Sequence, residues 1–230
     1  MSKLQVLVRL VLGLALWAGL PVLVFGQVGS DIWYFGHNAG VSFMSDPPVA
    51  LNDGALITNE GCATITDQNG NLLMYTDGVK VFNRLHQQMP NGFGLLGHSS
   101  STQTGLIVPQ PGTDSVYFIF TTGNIQAPLC YSKVNINLDN GLGDVTIKNE
   151  ILKQNANEQL TAVKHANGID YWVVSITPGV GNGVMNPDTF NVFLVNNTGI
   201  ITTPISYINA LTSVYVNHAG QMKFSPDGSK

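Results

Sequence analysis

One short pattern recurs along this chain: an apolar run, a turn that ends in glycine, and a second apolar run. The turn glycines are Gly70, Gly112, Gly168 and Gly228. Asn-Gly and Asp-Gly sequences supply the positive-φ residues of tight hairpin turns, so each copy predicts an antiparallel hairpin. In the clearest copy, residues 58–83, two such turns separate three apolar runs, which predicts a three-stranded meander.

The recurrence itself constrains the fold more than any single copy does. A repeat of about 40 to 50 residues, each copy a four-stranded antiparallel sheet, is the signature of a β-propeller blade. One such sheet has two apolar faces and cannot cover either alone, so neighbouring copies stack on it. We therefore predict an all-β, propeller-like fold of about three four-stranded antiparallel blades plus part of a fourth, in an incomplete ring. A β-sandwich is the alternative, but it accounts less well for one recurring hairpin.

The last copy of the pattern is shorter than the others. Residues 224–230 begin a hairpin whose return strand is absent from the sequence. Three blades and a fraction fall short of the roughly 4 to 8 that close a ring. We therefore expect residues 27–230 to be the N-terminal part of a propeller domain, and the chain to be a fragment of a longer protein.

Composition excludes several classes of partner. Of the 230 residues, 44% are hydrophobic and 10% are charged, and the formal net charge is -4. Nucleic acids and anionic membranes attract clustered basic residues, which this chain lacks. We therefore expect no nucleic-acid partner.

The first 26 residues form a predicted signal peptide with a helical apolar segment. Lys3 and Arg9 make a basic start, residues 10–25 are almost entirely apolar, and small residues precede Gln27. This order is typical of an export signal that is removed from the mature protein. An uncleaved anchor is the alternative, although the apolar run is short for a span of about 20 residues. The predicted location is secreted, or attached to the cell surface, with no membrane insertion after cleavage.

Two cysteines and a run of aromatic residues leave alternatives open. Cys62 and Cys130 either pair between neighbouring sheets, which export permits, or remain buried free thiols, which we favour.

Trp33, Tyr34 and Phe35 are predicted to be core residues, because buried rings contribute much of a core's stability. An exposed aromatic platform for sugars is the alternative.

Several short motifs carry a resemblance to a known group of proteins. They are WYFG at residues 33–36, NEGCATI at 59–65, NGNLL at 69–73, YTDG at 75–78, MPNG at 89–92, GHSSSTQ at 97–103, LTAVKH at 160–165 and SPDGSK at 225–230. With them, residues 31–230 resemble the N-terminal propeller-like region of large secreted Bacteroidota proteins. Those proteins carry a gliding-motility-associated, type IX secretion sorting domain at the C-terminus. The resemblance implies secretion or surface display and an adhesive or scaffolding role, with no chemistry to carry over.

Five residues are candidates for a ligand site. His98, His165 and His218 each stand just before a predicted strand or hairpin turn, and Glu60 and Lys164 are uncommon charges beside apolar strands. In a propeller, such positions line one face or the central channel. The alternative is that they make polar contacts between blades.

Two sequence patterns, one similar to a catalytic triad and one similar to a calcium loop, lack features that such sites need. His98 with the serines at 99–101 and Asp77 or Asp114 imitates a catalytic triad, but neither the base contact nor an oxyanion hole follows from sequence. Serines before strands more often bond the backbone nearby. Residues 67–71 begin like a calcium loop but lack its bidentate glutamate, which favours a plain turn. We predict no metal and no cofactor.

The sequence therefore predicts a non-enzymatic binding, adhesion or scaffolding module of a larger protein, with glycans or cell-surface proteins as partners. Function resides in sites and not in folds, so this step is an analogy. The alternative is a polysaccharide-acting hydrolase or lyase with its site in the propeller channel. A third class, a structural spacer, predicts no ligand at all.

Overall fold

The computed structural model describes residues 31–124, 127–179, 186–208, 219–225 and 228. The signal peptide predicted for residues 1–26 and His218 lie outside this part of the chain. Within it, strands dominate, and the helical content is one short segment, Leu138–Gly141, in which Asp139 and Asn140 have left-handed φ. The all-β prediction is confirmed.

The described strands form four antiparallel sheets. The first sheet contains β1 (Ile32–Phe35), β2 (Ala39–Ser42) and β3 (Val49–Leu51). The second contains β4 (Ala63–Thr66), β5 (Leu72–Thr76), β6 (Lys80–Asn83) and β7 (Gln88–Phe93). The third contains β8 (Gly105–Pro109), β9 (Val116–Thr122), β10 (Ala127–Asn135) and β11 (Asp144–Ala156). The fourth contains β12 (Leu160–Lys164), β13 (Tyr171–Gly179), β14 (Asn186–Asn196) and β15 (Gly199–Ile208).

Each sheet is a meander of strands in sequence order, and in the second, third and fourth sheets the recurring glycine turn joins the first strand to the second. Gly70, Gly112 and Gly168 lie between β4 and β5, β8 and β9, and β12 and β13, with φ of 82°, 79° and 73°. Glycine adopts this left-handed backbone without the steric cost that a Cβ would bring. The predicted hairpins of these three copies are confirmed.

Two segments whose proline, glycine and asparagine residues favour loops contain strands. Residues 84–97 include β7, and residues 46–59 include β3. The Pro90-Asn91-Gly92 sequence favoured a loop, but β7 is an edge strand that pairs with β6 alone. Proline is tolerated there because its missing N–H costs no ladder hydrogen bond.

Three apolar cores fill the spaces between consecutive sheets. The alternation along β9 shows how one strand serves two of them, since Tyr117 and Ile119 pack towards the second sheet while Phe118 and Phe120 pack towards the fourth. The core between the first and second sheets contains Tyr34, Leu56, Tyr75 and Phe82. The second and third sheets are therefore shielded from water on both faces only because the neighbouring sheets cover them.

The sheets contact one another in chain order. The first strands meet, with β4 against β8 and β8 against β12, and β1 of the first sheet lies against β4. Outer strands β7 and β11 are also in contact. A sandwich of two sheets is therefore wrong for the described residues, which form four sheets stacked in sequence.

The first sheet corrects one prediction about the core. Tyr34 is 4% exposed, as expected, but Trp33 and Phe35 on the other face of β1 are 50% and 42% exposed. Trp33 makes an edge-to-face contact with Phe43, at 5.0 Å between ring centroids. The core prediction is wrong for Trp33 and Phe35 because no described sheet covers this outward face.

Candidate functional site

Polar residues converge where the chain enters the first strands of the second, third and fourth sheets. Glu60, Thr102 and Glu158 stand just before β4, β8 and β12, each ten residues before the turn glycine of its own sheet. They thus occupy one equivalent position of the repeat. His218 has the same spacing from Gly228 in the sequence but lies outside the described residues.

The hydroxyl of Thr102 links the carboxylates of two other sheets. It donates to Glu158 Oε2 at 2.9 Å and lies 3.4 Å from Glu60 Oε2. The backbone N–H of Thr102 also donates to Glu158 Oε2, at 2.9 Å, and Ser100 Oγ donates to Glu60 Oε1 at 3.3 Å. We call Glu60, His98, Ser100, Thr102 and Glu158 the Thr102 cluster.

The two carboxylates of the cluster differ in exposure. Glu158 is 3% exposed, whereas Glu60 is exposed. Among the described residues the one ion pair, His86 with Asp53, lies elsewhere. Neither carboxylate of the cluster is therefore neutralised by a described cation. Glu158 is the buried member of the site, and Glu60 presents a negative charge and hydrogen-bond acceptors to solvent.

His98 contacts the backbone of its own turn. Its Nδ1 accepts a hydrogen bond from Ser100 N at 3.1 Å, and its backbone N–H donates to Thr104 Oγ1 at 2.8 Å. The Ser100 hydroxyl bonds Glu60, and Asp77 Oδ1 accepts from backbone N–H groups of its own hairpin. No triad is assembled from these groups. The prediction that the serines bond the nearby backbone is wrong for Ser100, whose hydroxyl bonds the Glu60 carboxylate, and for Ser101, whose buried hydroxyl has no hydrogen-bond partner among the described residues.

Lys164 and His165 lie at the opposite end of β12 from the Thr102 cluster. The five residues of β12 separate the two ends by ~13 Å, at the usual rise of a strand. His165 Nδ1 accepts from Asn167 N at 3.0 Å in the hairpin turn, and its ring centroid lies 5.0 Å from that of Trp172. Of the five predicted residues, the structure therefore brings together Glu60 and His98, and it separates Lys164 and His165 from them.

Two glutamines beside the cluster connect it to the fourth copy of the repeat. Gln103 Oε1 accepts from Leu160 N at 3.1 Å and from Met222 N at 2.7 Å, while its Nε2 donates to Met222 O at 3.0 Å. Gln159 Nε2 donates to Ala219 O at 3.3 Å. Side chains just before β8 and β12 thus hold the backbone of Ala219 and Met222 close to the same end of the first strands.

The turn at residues 67–71 is a hairpin turn held by its own side chains. Asp67 Oδ1 accepts from Asn69 N at 2.8 Å and Asn71 N at 2.9 Å, and its Oδ2 accepts from Asn71 Nδ2 at 2.9 Å. The side-chain bond from Asn71 is the main cause that lowers the pKa of Asp67. No group of three His, Cys, Asp or Glu in the described ranges is placed to hold a metal ion. The prediction of a hairpin turn at these residues is confirmed.

Both cysteines are free thiols, so the alternative of a Cys62–Cys130 disulfide is not realised in this structure. Cys62 packs beside the core between the first and second sheets, while Cys130 lies in the middle of β10 in the third. Burial raises the pKa of Cys130 to about 11, with a smaller contribution from Glu150. Burial also raises the pKa of Cys62, helped by Asp77.

Sequence reasoning missed Thr102 and Glu158 as site residues. The signal was present, because both share the spacing from a turn glycine that Glu60 has.

No helix within the described residues is long and apolar enough to cross a bilayer. No protein-family model, curated protein or solved structure matches this chain.

Proposed function

We propose that this chain is an exported binding or adhesion module whose sheets are blades of a propeller. Four sheets in chain order, stacked with first strands in contact, support a radial arrangement. Export is supported by the sequence of residues 1–26, with its basic start and apolar run. The resemblance to secreted Bacteroidota proteins with a type IX sorting domain agrees with display at the cell surface.

The ligand site of this module is the Thr102 cluster. The observation that carries this proposal is that Glu60 and Glu158 both approach the hydroxyl of Thr102. These three residues occupy equivalent positions of three successive repeats. Loops of successive blades meet at one end of a propeller, so a ligand there contacts several repeats at once. Residues at the turn end of the first strands, Lys164 and His165, are outside this site.

The chemistry of the cluster selects hydroxyl and amine donors. Glu60 presents carboxylate oxygens to solvent, and Ser100 and Thr102 add hydroxyls beside them. Carboxylates accept the strongest hydrogen bonds from sugar hydroxyls and from lysine or arginine side chains. Neutral or basic glycans and basic segments of cell-surface proteins are therefore the partners that suit it.

A glycan array probed with the mature chain and with Glu60→Gln tests this site. Loss of one charge-assisted hydrogen bond lowers affinity by roughly 10- to 100-fold, so the variant binds correspondingly less. The matched control is Asp114→Asn, because Asp114 is an exposed carboxylate in the hairpin turn at the other end of the third sheet. Equal losses in both variants, or unchanged binding by Glu60→Gln, would contradict the site. Absence of any ligand would favour a structural spacer.

A polysaccharide-acting hydrolase or lyase is the second candidate function. The observation that favours it is the approach of two carboxylates, Glu60 and Glu158, to the same hydroxyl, since glycosidases work with a pair of acids. Incubation with a polysaccharide panel separates the two candidates. Release of reducing ends that is lost in Glu158→Gln would establish the enzyme, and binding without product release supports the module.

A further inference from the structure

His98 is connected to the exposed carboxylate of the Thr102 cluster through a single residue, Ser100. The Nδ1 of His98 accepts a hydrogen bond from Ser100 N at 3.1 Å, and Ser100 Oγ donates to Glu60 Oε1 at 3.3 Å. An imidazole nitrogen that accepts a hydrogen bond carries no proton, so neutral His98 holds its one ring proton on Nε2. The contact between His98 and Ser100 therefore depends on an uncharged ring.

The turn that carries this ring is held by bonds that do not use the imidazole. His98 N donates to Thr104 Oγ1 at 2.8 Å, and Ser101 N donates to His98 O at 3.0 Å. Gly61 N, just before β4, donates to Ser101 O at 3.0 Å. A change in the charge of the exposed ring thus leaves the turn in place and acts on the contact with Ser100.

Three acidic residues stand around this turn. Glu60 lies before β4 and Glu158 before β12, and Asp77 belongs to the turn whose Gly78 O accepts from Gly97 N at 2.9 Å. No lysine or arginine of the described residues forms an ion pair with any of the three. A protonated His98 therefore supplies a positive charge that the described part of the cluster otherwise lacks.

We propose that His98 makes the Thr102 cluster sensitive to pH, so that its affinity for a basic ligand falls when the ring is protonated. This inference rests on the proposed binding function of the cluster. Protonation places a hydrogen on Nδ1, which can then no longer accept from Ser100 N. The imidazolium also competes with a lysine or arginine of the partner for the charge of Glu60. Histidine ordinarily changes its charge between about pH 5 and 8, so mild acidification produces both effects.

A second histidine provides a matched control. The Nδ1 of His165 accepts from Asn167 N at 3.0 Å, and the donor again lies two residues further along the chain. His165 lies at the opposite end of β12 from the cluster. Its protonation therefore alters the same kind of turn without affecting Glu60.

Nuclear magnetic resonance of the mature chain without a ligand tests the coupling itself. Between about pH 8 and 5 we expect the amide resonance of Ser100 to shift in step with the titration of the His98 ring, because the amide loses its acceptor. In His98→Asn the side-chain oxygen also accepts but takes up no proton in this range, so the Ser100 resonance should stay in place. A Ser100 resonance that does not follow the His98 ring overturns the inference, whatever the binding result.

Binding of a fluorescently labelled oligolysine peptide, followed by anisotropy, tests the effect on the site. We expect the affinity of the unsubstituted chain to be about tenfold lower at about pH 5.5 than at about pH 7.5, the equivalent of one charge-assisted hydrogen bond. His98→Asn should bind equally at both values, whereas His165→Asn and His218→Asn should keep the pH dependence. If either control abolishes the dependence, or His98→Asn retains it, the sensor is not His98.

The two measurements separate this inference from the function on which it rests. Equal binding of the peptide by the unsubstituted chain at both pH values contradicts the pH sensitivity and leaves the site intact. Binding at no pH, together with a Ser100 resonance that follows His98, contradicts the proposed basic partner and the claimed effect on binding. The coupling of His98 to Ser100 would then stand alone.

Discussion

Thr102 gives both its backbone N–H and its hydroxyl to one oxygen of Glu158, each at 2.9 Å. Thr102 precedes the first strand of the third sheet, and Glu158 precedes that of the fourth. The carboxylate of Glu158 is buried, and such a group is costly unless it is hydrogen-bonded. This contact therefore joins two repeats and holds Thr102 in place beside the exposed Glu60.

Shortening a side chain between two sheets should cost far more than shortening one on an outer strand. Leu129 is fully buried in the core between the third and fourth sheets, whereas Ile151 on β11 is 53% exposed. We expect Leu129→Ala to lower the free energy of unfolding by about 2 to 5 kcal/mol. Ile151→Thr, which keeps a β-branched side chain, should stay within about 0.5 kcal/mol. Urea unfolding monitored by circular dichroism measures both, and equal losses would contradict cores between sheets.

Two turn glycines, Gly168 between β12 and β13 and Gly78 between β5 and β6, predict a graded response to alanine. At Gly168 an added Cβ meets nothing within 4 Å, so Gly168→Ala carries only the strain of a left-handed backbone, about 1 to 2 kcal/mol. At Gly78 the same Cβ would also lie 2.8 Å from the carbonyl oxygen of Thr104. Gly78→Ala should therefore lower the unfolding free energy by more than Gly168→Ala. Gly168→Asn is the control, because asparagine tolerates this backbone, and a loss as large as that of alanine would argue against strain.

The turn chemistry and much of the strand order were predictable from the sequence, because both depend on local backbone preferences. Gly168 and its flanking runs predict a hairpin without any knowledge of the rest of the chain. The exposure of Trp33 and Phe35 was not predictable in this way. An aromatic strand has the same sequence whether or not another sheet covers its outward face, and that depends on residues far away.

The candidate site was only half predictable for a similar reason. Glu60 and His98 were identified as charges and histidines near strands, but Glu158 contacts Thr102 across 56 positions of the chain. Such a contact follows from how sheets stack, not from a local pattern. β7 is equally hard to predict, because Pro90 and Asn91 favour a loop locally, while an edge strand tolerates both.

Asp67 gives the second hairpin a pH dependence. Its pKa is lowered from the ordinary 3.8, mainly by the hydrogen bond from Asn71, so folding favours the charged form. A group with a lowered folded pKa contributes stability above its ordinary pKa and loses it as the pH falls through the folded value. We expect the unsubstituted chain to be more stable than Asp67→Asn at neutral pH, and the difference to vanish in acid. Urea midpoints measured across the acid range check this, and a difference that stays constant with pH would refute it.

The thiols make a separate prediction about redox state. Both pKa values are raised by burial, that of Cys130 to about 11, and the thiolate is the reactive form. A thiol reagent added to the native chain at neutral pH should therefore react slowly, with Cys62, which is only half-buried, ahead of the buried Cys130. After denaturation without reductant, both should react at once. If neither reacts then, the two residues form a disulfide.

A double-mutant cycle between Thr102 and Glu158 tests the convergence of successive repeats most directly. The measured quantity is the free energy of unfolding of the unsubstituted chain, Thr102→Val, Glu158→Gln and the double variant. Residues that share a hydrogen bond couple by about 0.5 to 3 kcal/mol, so the two single losses should exceed the loss of the double variant by that amount. Strict additivity, the result for residues without a common contact, would mean that the third and fourth sheets do not meet at this site.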